Sequence, residues 1–201
     1  MRTKYLWLAL SVAASAGAAL FLLRKKSGNA GVKKASPSPE KAASAAPKTV
    51  KDASYSFISG FQNAATVELK FPYDAERFAF SVAEDEFLTE SGDSHVGILS
   101  GEDFSAQFEY ASYYNGESYE AFRAELASRY SDLSTVSYGG NSALMYRDGD
   151  NICLVFRIPD DSQSYLLVTL VKAKGNDDPL EALPAYPDLR FMLEGMRFSR
   201  S

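Results

Sequence analysis

Tyr5–Leu23 is a run of nineteen residues without a charged side chain, and it limits what the start of this chain can become. As an α-helix it would be about 28 Å long, close to the roughly 30 Å of a bilayer's hydrocarbon core. Tyr5 and Trp7 stand at one end, where amphipathic rings favour the membrane–water interface. The run predicts a transmembrane signal anchor over 5–23, preceded by a short basic segment, 1–4. A cleaved signal peptide is the alternative. Arg2 and Lys4 would be its charged start, LWLALSVA its apolar middle, and Ala14-Ser15-Ala16 its small-residue site. The apolar stretch continues through GAALFLL beyond that site, which favours the anchor.

Charge divides the chain into a basic arm and an acidic body. Residues 1–52 carry ten Lys/Arg and two Asp/Glu, whereas residues 53–201 carry eleven and twenty-four. An acidic body repels phosphate backbones, so nucleic acid is not an expected partner. The basic arm is drawn to anionic surfaces such as lipid head groups. Between Arg24 and Asp52 the only sizeable apolar residues are Val32 and Val50; the remainder is typified by KKASPSPEKAASAAPK. Such a segment buries too little surface to fold, which predicts a disordered Ala/Pro/Ser/Lys tether over 24–52.

Residues 53–201 read as one α+β domain. Val67, Leu69 and Phe71 alternate with polar residues, as do Phe78, Phe80 and Val82, and Phe104, Ala106, Phe108 and Tyr110. That period of two marks half-buried strands. A strand is also expected at His95–Leu99. The period then changes in SYEAFRAELASRY, where Tyr119, Phe122, Leu126 and Tyr130 fall at helical spacing and Ser118 is placed to cap the helix. Strands resume near Thr135–Tyr138 and Ala143–Tyr146. The runs ICLVFRI and YLLVTLV are almost continuously apolar, which predicts central strands covered on both faces. At the end, Asp178-Pro179 opens a turn, and Pro187 and Gly195 bracket a helix with Leu189, Met192, Leu193 and Met196 on one face.

A strand meander interrupted by SYEAFRAELASRY and ended by DLRFMLEGMRF resembles the PsbP-like α/β/α sandwich, over about residues 65–199. The resemblance lies in the order of elements. It implies an antiparallel sheet flanked by helices, and a non-catalytic accessory or binding role, often outside the cytoplasm. It transfers no residue role.

Reactive residues are few. Cys153 is the single cysteine, so no disulfide closes within the chain and no Cys-x-x-Cys metal cluster can form. Its apolar neighbours in NICLVFRI predict a small core residue. His95 is the single histidine and follows Asp93 by two residues. A hydrolase using His95 and nearby carboxylates is one open alternative; a turn residue at a strand start is the simpler expectation. Acids gather in EDEFLTE (84–90), RDGDN and NDDP, but none forms an Asp-x-Asp-x-Asp-Gly calcium loop, and neither a metal nor another cofactor is expected. The candidate ligand-binding residues are Tyr113 and Tyr114 in YASYYNGESY. Adjacent residues of an extended chain point to opposite sides, so one of the two rings is expected at the surface. An exposed tyrosine beside a loop suits flat contacts with a protein, peptide or glycan; covering the end of the sheet is the simpler use of both rings.

The expected protein is thus a membrane-tethered, non-catalytic binding domain. Its orientation is contested within the sequence. Arg24, Lys25, Lys26, Lys33 and Lys34 outnumber Arg2 and Lys4, which places the body in the cytoplasm as a regulator attached to the inner leaflet. The export-like start MRTKYLWLAL and the long spacer favour an extracytoplasmic body.

Overall fold

The computed structural model describes residues 49–59, 65–84, 95–113, 118–162 and 164–200. The expected span at 5–23, and all of the 24–52 tether except its last residues, lie outside that set. Among the described residues, no helix is long and apolar enough to cross a membrane.

Two antiparallel sheets carry the domain. The smaller has three strands, β1 (Val50–Ser59), β2 (Ala65–Asp74) and β10 (Arg197–Arg200), in the order β1-β2-β10. The larger contains β3 (Phe78–Glu84), β4 (His95–Gly101), β5 (Phe104–Ser112), β6 (Ser134–Tyr138), β7 (Asn141–Asp148), β8 (Asn151–Arg157) and β9 (Ser164–Lys172). Its order is β3-β4-β5-β9-β8-β7-β6. Helix α1 (Tyr119–Arg129) connects β5 to β6. A 3-10 helix (Leu180–Ala185) and helix α2 (Pro187–Glu194) come after β9. The fold class is therefore α+β, an antiparallel, sheet-rich domain with few helices.

Alternation assigns the faces of the large sheet. Phe78, Leu99, Phe104, Ala106, Phe108, Leu154, Phe156, Leu166, Val168 and Leu170 share one core with Leu189, Met192 and Leu193 of α2 and with Ala53, Tyr55, Phe57, Val67, Leu69 and Phe71 of the small sheet. On the opposite face, Leu144, Tyr146, Cys153 and Val155 pack with Leu126 of α1. Strand β8 serves both cores, so all of its side chains from Ile152 to Phe156 are buried. That is the physical reason its sequence lacks alternation. β9 is covered less evenly: on the α1 side Tyr165 and Leu167 are only partly buried, and Val171 is 39% exposed.

Expectation and structure differ over what covers the sheet. Helices alone were expected; the three-stranded sheet shares one face with α2. Strand β1 begins at Val50, so Val50, Lys51 and Asp52 of the compositional tether pair with Asp74, Tyr73 and Pro72. Only Ala53, Tyr55 and Phe57 make its alternation visible. β10, with the sequence RFSR, is a strand because it reaches the free side of β2, not because of its own apolar content.

Short-range features explain the turns. Ser118 Oγ accepts from Ala121 N at 3.2 Å and caps α1. Gly195 ends α2 with φ −83°, so no left-handed conformation demands glycine there. The demand is steric: a Cβ at Gly195 would lie 2.3 Å from the ring of Pro72. Gly139 has both constraints. It turns β6 into β7 at φ +57°, and a Cβ there would lie 2.0 Å from the carbonyl oxygen of Glu194. Gly139→Ala is therefore expected to cost upwards of about 2 kcal/mol, since neither backbone can yield cheaply. Phe71→Ala, which empties the ring-filled junction between the sheets, is expected to cost about 3–5 kcal/mol. Urea unfolding followed by circular dichroism measures both; wild-type midpoints would show these contacts to be unimportant.

Candidate functional site

Tyr113 comes directly after β5 and keeps the phase of Glu109 and Ala111, which turns its ring toward the face that α1 covers. There it meets three other rings. Tyr165 lies 5.1 Å away, Phe122 5.3 Å and Tyr119 6.4 Å between centroids. Phe122 stacks on Tyr165 at 4.8 Å. The four rings fasten the first turns of α1 to β5 and β9, each pair contributing roughly 0.5–1.5 kcal/mol beyond buried area.

Arg157 ends β8 on the same face as Cys153 and Val155, and its guanidinium lies over the Tyr119 ring, 4.8 Å from the centroid. A cleft of about 210 Å³ opens here, lined by Tyr113, Ser118, Tyr119, Glu120, Arg157, Asp161 and Ser162. The side chain of Asp161 is 4% exposed, and its Oδ2 lies 3.9 Å from Arg200 Nη2. The cleft thus combines an aromatic wall, a solvent-exposed cation, hydroxyls and two carboxylates. It can hold a flat or planar group against rings and pair it with a guanidinium.

Burial sets the ionisation of the aromatic wall. It pushes the Tyr113 hydroxyl up to about 12; neighbouring Tyr119 adds to the effect and Arg157 opposes it. Tyr119 is also raised by burial, against the pull of Arg123 and Arg157. Both phenols are neutral near pH 7, ready to donate a hydrogen bond.

The expected site residues are divided by the structure. Tyr113 is 6% exposed, the ring that covers the sheet end, and it also lines the cleft. Tyr114 lies outside the described residues. His95 opens β4 opposite Glu84, and its side chain also lies outside the description, as do residues 85–94 with Asp93. Cys153 is buried behind α1, and burial pushes its thiol up to about 11 despite hydrogen bonds with Tyr146 and Thr169. It is protonated at neutral pH and shielded from reagents. Among the described residues, no three of His, Cys, Asp and Glu converge as a metal would require. Sequence reading missed Arg157 and Tyr165. Arg157 carried one legible signal, a charge at the end of an otherwise apolar run. Its position over Tyr119 depends on bringing β8 beneath α1.

The ring cluster predicts alkaline instability. Tyr113 and Tyr165 both rise from an ordinary value of 10.0 to about 12 through burial. A raised folded-state value means that the stabilisation is complete below about pH 10 and is lost as pH climbs through about 12. Unfolding in that window is expected by far-ultraviolet circular dichroism, together with tyrosinate absorbance. Tyr165→Phe, which keeps the ring and removes the titration, should move the midpoint upward. An unchanged midpoint would show that Tyr165 does not drive the transition.

Compared with protein families, curated proteins and solved structures, this chain matches none.

Proposed function

We propose that this chain is a membrane-tethered binding domain that acts without a chemical step and takes a peptide or glycan segment into the cleft beside Tyr113, Tyr119 and Arg157. The observation that carries the reading is the guanidinium of Arg157 held over a ring that is itself packed into a four-ring wall. A rigid wall of this kind binds with little loss of side-chain freedom. Its cation selects a ligand bearing a carboxylate or another planar acceptor. The buried, protonated Cys153 thiol supports binding rather than nucleophilic chemistry.

The span at 5–23 would fix the chain in the membrane, and residues 24–48 would hold the domain clear of it. The body faces outward in this reading, consistent with the export-like start and with the accessory role that a PsbP-like order of elements implies. Helices pack on both faces of the large sheet, and the three-stranded sheet shares one of those faces with α2. A cytosolic, inner-leaflet regulator is the second reading, favoured by the five basic residues from Arg24 to Lys34.

Two experiments test the reading. Protease added to intact cells should digest the domain; digestion only after permeabilisation would place it in the cytoplasm. Short acidic peptides and uronate-containing oligosaccharides, titrated against the labelled protein, should shift the amide signals of Tyr113, Tyr119 and Arg157. Arg157→Ala should weaken the interaction about tenfold, or about 1.4 kcal/mol, with an unchanged melting temperature. A shift map centred elsewhere would remove the cleft from the proposal. Loss of cellular function in a folded, abundant His95→Ala protein would instead favour the hydrolase.

A further inference from the structure

Four strands end the two sheets, and three have features that discourage another strand from joining. β1 carries Lys51 and Asp52. β10 has four residues, two of them arginine. β6 has five residues, and α2 packs close to it. Short or charged strands are the usual protection of a sheet edge. β3 differs: FAFSVAE runs seven residues without proline or lysine, and its single charge comes at Glu84. Among the described residues, its outer side pairs with no strand. Ala79, Ser81, Val82 and Ala83 are exposed, Val82 at 47%.

The inner side of β3 is well held. It pairs with β4 along its whole length, from Phe78 opposite Gly101 to Glu84 opposite His95. The ring of Phe78 occupies the space that a Cβ at Gly101 would need, 2.3 Å away, and the ring of Phe80 lies against Gly97 at 3.3 Å. Phe71 packs edge-on to Phe80 at 5.3 Å. The edge is therefore a formed strand presenting a ladder of backbone donors and acceptors, which an incoming strand can use directly.

We infer that the outer edge of β3 joins β3 of a second copy of this chain, antiparallel about a two-fold axis through Ser81. The sequence complements itself in that register. Phe80 meets Val82, Ala79 meets Ala83, and Ser81 meets Ser81 of the partner subunit. Phe80 and Val82 lie on one face, so each pairing contributes two apolar cross-strand contacts. In the same register Glu84 falls opposite Phe78 of the partner subunit rather than opposite a second Glu84. The two large sheets then form one continuous antiparallel sheet across the dimer. An isologous interface of this size is small, so association in dilute solution is weak. Anchoring both chains in one membrane, the part that rests on the proposed tether, raises their effective concentration.

Directly opposed residues of an antiparallel pair have Cα atoms about 4.5–5.5 Å apart, within disulfide reach. Full-length Ser81→Cys is therefore expected to form a disulfide-linked homodimer under mild oxidation, read on a non-reducing gel. Ser128→Cys, on an exposed position of α1, controls for random collision. Adding Val82→Lys to Ser81→Cys sets an ammonium group against Phe80 in both halves and should reduce the dimer at least tenfold. Val82 is half exposed, so its replacement leaves the core intact, and an unchanged melting temperature verifies this. Equal crosslinking by Ser128→Cys, indifference to Val82→Lys, or capture of a different polypeptide in place of the homodimer would each overturn the inference. None of these outcomes bears on the cleft, whose ligand shifts are measured separately.

Discussion

Phe71 lies where the two sheets meet, stacked on Phe108 at 4.7 Å and packed edge-on to Phe80 at 5.3 Å. Those rings come from β2, β5 and β3, so one cluster fixes the small sheet against the large one. From β2 to β3 the chain passes from the small sheet to the large one in three residues, Ala75, Glu76 and Arg77. Buried Asp74 helps that passage by accepting from Glu76 N at 3.0 Å. Arg77 then binds Asp188 and, at 2.8 Å, Asp103, tying the crossing to α2 and to the turn before β5. Burial raises the Asp188 carboxyl while Arg77 draws it down. Arg77 and Asp103 are about half exposed, so their pair secures geometry more than it adds stability. The rings supply most of the cohesion.

The large sheet has unequal cover, and this places the cleft. Near β8 and β9 both faces are packed, by α2 and the 3-10 helix on one side and α1 on the other. Toward β3 the α1 side carries Ala79, Ser81 and Ala83, all exposed. α1 must therefore begin at the boundary between covered and open sheet. Its first turn, capped by Ser118, stands beside the ends of β5 and β8. The rings of Tyr113, Tyr119, Phe122 and Tyr165 close the gap under that turn, and Arg157 lies at its rim. The same tyrosines thus secure the helix and furnish the wall of the proposed site. Substitutions at Tyr113 or Tyr165 would combine stability with binding, whereas Arg157 isolates binding.

The exposed residues of β3 and its edge, which pairs with no other strand among the described residues, share an origin. β3 packs one face through Phe78 and Phe80 and leaves small residues on the other. Small side chains permit close approach of another backbone, and the absence of lysine or proline leaves the ladder accessible. The proposed dimer uses that edge, while the cleft lies at the far side of β5, so the two interactions do not compete for the same strand.

Much of this architecture was written locally. Alternation in Phe104–Tyr110 identified a half-buried strand because its polar partners Ser105, Gln107 and Glu109 fall on the less covered face. The near-continuous apolar run of β8 placed it at the centre because a strand between two cores must be apolar on both sides. Ser118, Pro187 and the Leu189–Met192–Leu193 face marked helix boundaries and packing through capping and periodicity, which act within a few residues. Tertiary structure decided the remainder. β10 is a strand because β2 offers it hydrogen bonds, and RFSR alone has no such preference. Gly195 is required by Pro72, which is distant in sequence. Tyr113 acquires its neighbours from α1 and β9, and Arg157 its ring from α1, because antiparallel pairing aligns the end of β5 with the start of β9. Sequence determines period and punctuation through short-range sterics and solvent; the cleft arises from contacts between segments whose separation no local pattern encodes.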